Sequence, residues 1–103
     1  MSKITVIIPI YNAEKYLSGT FRCLRNQSFT DFEVLLVNDG STDSSERICL
    51  EAANSDARFR YVHQENQGVS AARNHGLALS QGEYITFIDA DDDLPENYLE
   101  ALH

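Results

Sequence analysis

Ile4-Thr5-Val6-Ile7-Ile8-Pro9 is a short run rich in β-branched residues, the mark of a strand buried on both faces. Working outward from it, helical and strand patterns alternate. After Tyr11-Asn12, residues 13–27 repeat Leu17, Phe21 and Leu24 at i, i+4 and i+7, one apolar helical stripe with Asn12 placed to cap its start. Phe32-Glu33-Val34-Leu35-Leu36-Val37-Asn38 reads as a second buried strand, and Asp39-Gly40-Ser41-Thr42-Asp43 as the turn and helix start that follow it. A second helix, residues 44–55, puts Ile48, Cys49, Ala52 and Ala53 on one side. Residues 59–63 form a weaker strand, followed by the loop Glu65-Asn66-Gln67-Gly68. The third helix, residues 69–80, aligns Val69, Ala72, Gly76 and Leu79 as a small or apolar face suited to close packing on a sheet, and Gly82 suits its C-terminal cap. Residues 84–88 are the fourth strand, and Leu94-Pro95 opens a last helix with Pro95 in its first turn.

Strands alternating with helices through right-handed crossovers predict an α/β fold, a Rossmann-like, mostly parallel sheet with helices on both faces. The expected strand order is 3-2-1-4. Ligands of such sheets bind beyond the carboxyl ends of the strands, where the winding direction reverses, here between the first and fourth strands. Tyr11-Asn12, Asp39, the loop at residues 66–68 and the acidic run Asp89-Ala90-Asp91-Asp92-Asp93 each follow directly after a strand. All four clusters are therefore expected on one rim.

Composition narrows the classes of partner. The 103 residues suit a single domain, and 43% hydrophobic with 23% charged residues is ordinary for a globular chain. Sixteen acidic against eight basic residues give a formal charge of -8, a field that repels nucleic acid and anionic lipid. A phosphate-bearing ligand would need help from a cation. Cys23 and Cys49 have no paired spacing and read as reduced core thiols. No apolar run approaches the ~18 residues of a membrane span, so the expected location is cytoplasmic. His63, His75 and His103 lack ligand-like spacing and are expected at surfaces or termini.

In the acidic run an extended backbone would put Asp89, Asp91 and Asp93 on one side. Their mutual repulsion would be relieved by a hard divalent cation coordinated through carboxylate oxygen. Taken alone, an Asp-x-Asp reads equally as a solvated turn capping the last helix. A calcium-loop reading is set aside, because Leu94 stands where that loop needs Gly. Asp39 occupies the position after the second strand where open α/β sheets put an acidic residue toward a nucleoside; Asp43 reads as turn and cap. Arg73 sits on a helix that begins at the rim. From composition it is either a nucleotide contact, an exposed helix charge or the partner of a nearby Asp. Tyr11 and Tyr84 also read as ordinary packing aromatics. Neither Gly-x-Gly-x-x-Gly nor a P-loop follows the first strand.

Four segments together resemble the inverting glycosyltransferases of family 2. They are Val6-Ile7-Ile8-Pro9-Ile10-Tyr11-Asn12, Val37-Asn38-Asp39-Gly40-Ser41-Thr42-Asp43, Asn66-Gln67-Gly68-Val69-Ser70-Ala71-Ala72-Arg73-Asn74-His75-Gly76 and Phe87-Ile88-Asp89-Ala90-Asp91-Asp92. The resemblance runs over nearly the whole chain and implies a GT-A fold. It implies that Pro9 and Tyr11 line the base or ribose pocket, that Asp39 bonds the base, commonly uracil, and that Arg73 helps hold the nucleotide. Asp89 would lie near the ribose, and Asp91, with Asp89 beside it, would hold Mn2+ or Mg2+ against the donor diphosphate.

The reaction so implied is attack by an acceptor hydroxyl on the anomeric carbon of a nucleotide-diphosphate sugar, with inversion and loss of the nucleoside diphosphate. In the family the general base lies downstream of the Asp-x-Asp motif. Residues 1–103 are accordingly expected to be the nucleotide-sugar-binding subdomain, truncated before the acceptor-binding half and carrying no catalytic residue of its own. The parent would be a metal-dependent glycosyltransferase of polysaccharide assembly acting on a glycan acceptor, associated with the inner face of the membrane, and the fragment alone inactive. The alternative is a nucleotide- or metal-binding module without chemistry. Phosphoryl transfer through an aspartyl nucleophile is disfavoured, since the acidic motif follows the fourth strand rather than the first. The free side of the fourth strand is expected to drive self-association.

Overall fold

The computed structural model describes residues 3–102; the expectation for His103 lies outside them. Strands β1 (Ile4–Ile10), β2 (Phe32–Asp39), β3 (Phe59–Gln64) and β4 (Tyr84–Phe87) alternate with helices α1 (Glu14–Arg25), α2 (Ser45–Ser55), α3 (Val69–Leu79) and α4 (Tyr98–Leu102). The four strands form one sheet in the order β3-β2-β1-β4, and every pairing is parallel. The architecture is the α/β sheet that the alternating pattern predicts.

β1 lies between β2 and β4, and its side chains divide by parity between two cores. Ile4, Val6, Ile8 and Ile10 pack with Leu17, Phe21 and Leu24 of α1 and Cys49 and Ala52 of α2. Ile7 packs on the other side with Leu35, Val37 and Ala72 of α3. Helices therefore cover both faces. The predicted stripe of α1 is the buried one, and Phe21 meets the edge of Phe59 at 5.4 Å between ring centres. Val69 departs from the expected face of α3 and is exposed, whereas Ala72 and Gly76 are buried. A Cβ at Gly76 would come within 2.5 Å of Ile7 Cγ2, so the bare backbone is what lets α3 lie against β1.

Four local expectations change. Asn12 does not cap α1: Ala13 holds that position, with no side-chain cap, and Asn12 bonds elsewhere. Gly82 does not end α3, whose cap is Ser80. Instead its N–H bonds Thr5 Oγ1 at 2.8 Å, and a Cβ there would lie 2.6 Å from Thr5 N. The last helix begins at Tyr98 rather than beside Pro95, because buried Gln27 captures the segment first. Its Nε2 donates to Pro95 O at 2.7 Å, and its Oε1 accepts the Leu99 N–H at 2.9 Å, which serves as the helix cap. Of the two cysteines, both free, only Cys49 is in the core. Burial pushes its thiol up to about 12, which leaves it inert. Cys23 is half-buried, and its thiol donates to Asp93 Oδ1 at 3.5 Å. Among the described residues no helix is long and apolar enough to cross a membrane.

Two glycine substitutions test the packing by opposite signs. Gly76→Val should lose about 1–3 kcal/mol by overpacking against Ile7. Gly19→Ala, inside α1 with nothing within 4 Å of the added carbon, should gain about 0.5–1 kcal/mol of helix propensity. Urea denaturation of both variants checks the pair; equal shifts would contradict the close α3–β1 contact.

Candidate functional site

Parallel pairing carries the carboxyl ends of β1, β2, β3 and β4 to one rim, and the loops that leave them are bonded to one another. Asn12, whose φ is +49°, accepts the Thr42 and Asp43 N–H groups at 2.8 and 3.3 Å through Oδ1. Its own N–H donates to Ser41 Oγ at 3.0 Å. Asp43 accepts the Glu14 N–H at 3.2 Å, while Glu14 accepts the Ser44 N–H at 3.0 Å. The loop after β1 and the loop after β2 thus bind each other reciprocally. Left-handed backbone is tolerated by Asn better than by most residues, and here the strain is met by these bonds.

Asp39 closes the second junction. It is 4% exposed, and its carboxylate accepts from Gln64 Nε2 at 2.8 Å and the Gln67 N–H at 2.8 Å on Oδ1, and from the Gly68 N–H at 3.0 Å on Oδ2. Burial pushes its pKa up, yet the bonds from Gln67, Gln64 and Gly68 outweigh burial and hold it below the ordinary 3.8. Gly40, at φ +68°, fits beneath Asn66, where a Cβ would meet the Asn66 N at 2.8 Å. Asp39 is therefore the anchor of the loop that starts α3.

The acidic run turns rather than running straight. Ile88 N–H still bonds Ile7 O at 3.1 Å, but Asp92 N–H then bonds back to Asp89 O at 3.0 Å, and Asp92 Oδ2 accepts the Asp89 N–H at 2.8 Å. The turn replaces Asp93 by Asp92 in the expected trio. Oxygens of Asp89, Asp91 and Asp92 lie within 4.8 Å of one another, whereas Asp93 faces Cys23. Three carboxylates with no sulfur or imidazole form a hard donor set, which fits Mg2+ or Mn2+ rather than a soft metal. The Asp91 carboxylate has no hydrogen-bond or ion-pair partner among the described residues.

Pro9, Tyr11, Tyr16, Asp89 and Asp91 line one cleft of about 280 Å³. Arg73 of α3 is not part of that lining but touches one member of it, its Nη2 lying 3.5 Å from Asp89 Oδ1, so the arginine is the partner of a nearby Asp. With side chains 42% and 61% exposed, that pair contributes about 0–1 kcal/mol and is readily exchanged. Arg73 Nε is buried without a partner. The structure thus gathers Pro9, Tyr11, Asp89, Asp91 and Arg73. Asp39 shares their rim but lies beneath the loop and does not line this cleft. A separate cavity of about 520 Å³ between α1 and α2 contains none of these residues.

The model of glycosyl transferase family 2 matches residues 5–103. The chain belongs to that family. It is 48% identical over 101 residues to the glycosyltransferase GlyA of Streptococcus pneumoniae, covering 98% of this chain and 14% of that protein. Among solved structures it is similar to S. aureus TarS 1–349 in complex with UDP-GlcNAc, with TM-score 0.89, 33% identity, and coverage of 97% of this chain and 30% of that one. It is also similar to the mannosyltransferase PcManGT from Pyrobaculum calidifontis in complex with GDP-Man and Mn2+, with TM-score 0.80, 26% identity, and coverage of 90% of this chain and 28% of that one. The chain spans less than a third of each of these proteins, and its sheet is the GT-A type of the family 2 enzymes.

Sequence reasoning missed three contributors to the site: Asn12 as the tie between loops, Gln64 as a partner of Asp39, and Asp92 in the acidic trio. An Asn immediately before a helix and after a strand end is a detectable signal for a left-handed residue; the pairing of Gln64 leaves no local trace.

Asp39→Asn should destabilise the chain by about 1–3 kcal/mol, since an amide nitrogen would then face an N–H donor. The lowered pKa also fixes a sign. The stabilisation from ionised Asp39 is fully present above 3.8 and is lost as pH falls through the lower folded value. Denaturation measured from pH 6 to pH 3 should accordingly show a shallower acid decline in the variant than in the parent.

Proposed function

We propose that this chain is the donor-binding segment of a glycosyltransferase that moves a sugar from a nucleotide-diphosphate sugar, a UDP-sugar by preference, to a glycan acceptor with inversion. The observation that carries the reading is the meeting of Pro9, Tyr11, Asp89 and Asp91 in one cleft with Arg73 held against Asp89. The similarity to TarS bound to UDP-GlcNAc supports a uridine donor, and the similarity to PcManGT with Mn2+ supports a metal. Asp91, Asp89 and Asp92 would hold Mn2+ or Mg2+. A bound divalent cation supplies positive charge that offsets the charge growing on the departing diphosphate.

Each side chain then has a physical task. Tyr11 and Pro9 offer an apolar wall to the base or ribose. Arg73, with an unsatisfied buried Nε and an exchangeable partner, can turn its guanidinium toward an anion. Asp39 lies beside the cleft rather than in its lining and is 4% exposed. After three bonds are spent on its loop it keeps one acceptor position on Oδ2, which a base N–H would meet only by seating against that loop. The general base toward the acceptor is assigned to the acceptor-binding half, outside residues 1–103, in a cytoplasmic parent that works at the inner face of a membrane.

Titration of the chain with UDP should show affinity that depends on Mn2+. Asp91→Asn should weaken it on the order of ten- to a hundredfold, as loss of a charge-assisted contact, without lowering stability, because the carboxylate has no protein partner. No turnover of UDP-sugar should accompany binding. Affinity indifferent to Mn2+ would sink the metal assignment, and transfer to a sugar acceptor would sink the assignment of the base elsewhere.

The same reading proposes self-association along β4, an edge strand on which Tyr84, Ile85 and Phe87 are 47%, 39% and 43% exposed. An edge strand carrying exposed apolar residues templates pairing with a second copy. Sedimentation should show an average mass that rises with concentration, and Phe87→Lys should suppress the rise; a monomer at high concentration would refute the proposal.

A further inference from the structure

The structure assigns Gln64 and His75 as positioning residues of the base pocket, a relay that orients Asp39 toward a nucleobase presenting an N–H donor; it rests on the donor-site reading above. Gln64 lies between the two partners, its Nε2 2.8 Å from Asp39 Oδ1 and its Oε1 2.9 Å from His75 Nδ1. A carboxylate that already accepts two backbone N–H groups can only accept, so the end of the amide facing it must be the NH2 group. The other end is then a carbonyl oxygen, which only accepts. His75 must therefore donate from Nδ1.

The polarity of the relay is fixed by chemistry at every link: His75 Nδ1–H to Gln64 Oε1, then Gln64 Nε2–H to Asp39 Oδ1. Without the His75 donor the Gln64 carbonyl loses its partner, and the amide is held at its Asp39 end alone. The two positions of Oδ1 are filled by Gln64 and Gln67, and one of Oδ2 by Gly68, which leaves a single acceptor position on Oδ2. That position suits the imide N–H of uracil or thymine and opposes the bare ring nitrogen of cytosine. His75 is two residues from Arg73 on α3, so one helix sets both the orientation of Asp39 and the ion pair with Asp89.

The test joins a spectroscopic and a binding measurement on the chain. In 15N–1H correlation spectra neutral His75 should carry its proton on Nδ1, whatever nucleotide is present. His75→Phe, which keeps a ring but no donor, should weaken UDP binding on the order of 3- to 10-fold, the worth of one neutral hydrogen bond. It should narrow the preference for UDP over CDP and leave ribose 5'-diphosphate binding unchanged. His75→Asn, whose amide nitrogen can stand near the Nδ1 position, should restore the preference. Neutral His75 protonated on Nε2, or equal UDP binding by His75→Phe and the parent, overturns the relay alone. A parent chain that binds UDP no better than ribose 5'-diphosphate overturns the base-pocket reading and the relay together.

Discussion

Parallel pairing along both edges of β1 ties the carboxyl ends of all four strands to one side of the sheet. That pairing holds because β1 is apolar on both faces, with Ile4, Val6, Ile8 and Ile10 committed to one core and Ile7 to the other. A register slip of one residue would exchange those sets and set Ile7 against α1 instead of α3. The close approach of Gly76 to Ile7 would be lost with it. The site is thus a consequence of strand direction and parity: loops distant along the chain meet because each leaves a strand at the same end.

Meeting at one rim does not by itself hold irregular backbone in place. The loops here bond one another in both directions: the Asn12 N–H donates to Ser41 while its side chain accepts from Thr42, and the Glu14 N–H donates to Asp43 while its side chain accepts from Ser44. Asp39 supplies the third tie, from the end of β2 to the start of α3. On the opposite rim Glu33 does the same work. It is buried, accepts from Thr5 Oγ1 at 2.7 Å and the Gln81 N–H at 3.0 Å, and lies 3.6 Å from Arg60 Nη1. Carboxylates that end strands are used as fasteners at both ends of the sheet.

The strand order, the two-faced core and the shared rim were legible in the sequence because each follows from long runs of apolar pattern and the handedness of crossovers. Helical periodicity alone places Leu17, Phe21 and Leu24 inward. What was not legible depends on contacts between distant segments. Pro95 looks like the first turn of a helix, but Gln27 from another element takes its carbonyl and caps the helix further on. Gly82 looks like a helix cap, but its role is set by Thr5. In the acidic run an extended backbone would align Asp93 with Asp89 and Asp91, but a single backbone bond from Asp92 N–H to Asp89 O exchanges Asp93 for Asp92. In the candidate site the clusters and their convergence could be read; the division of labour among the carboxylates could not.

That division follows from counting acceptor positions. An ionised carboxylate offers about four. Asp39 uses three within the protein, and Asp43 accepts the Glu14 and Ser45 N–H groups, so both carry structure first. Asp89 gives one oxygen to a weak, exposed pair with Arg73, and Asp91 gives none to the described chain. Leaving an acidic group unspent beside two others is electrostatically unfavourable in a chain of net charge -8, and nothing in the packing of the rim requires it. The carboxylates that the fold does not need are the ones that face the cleft, which is where a cation and the phosphates it attracts would find open coordination.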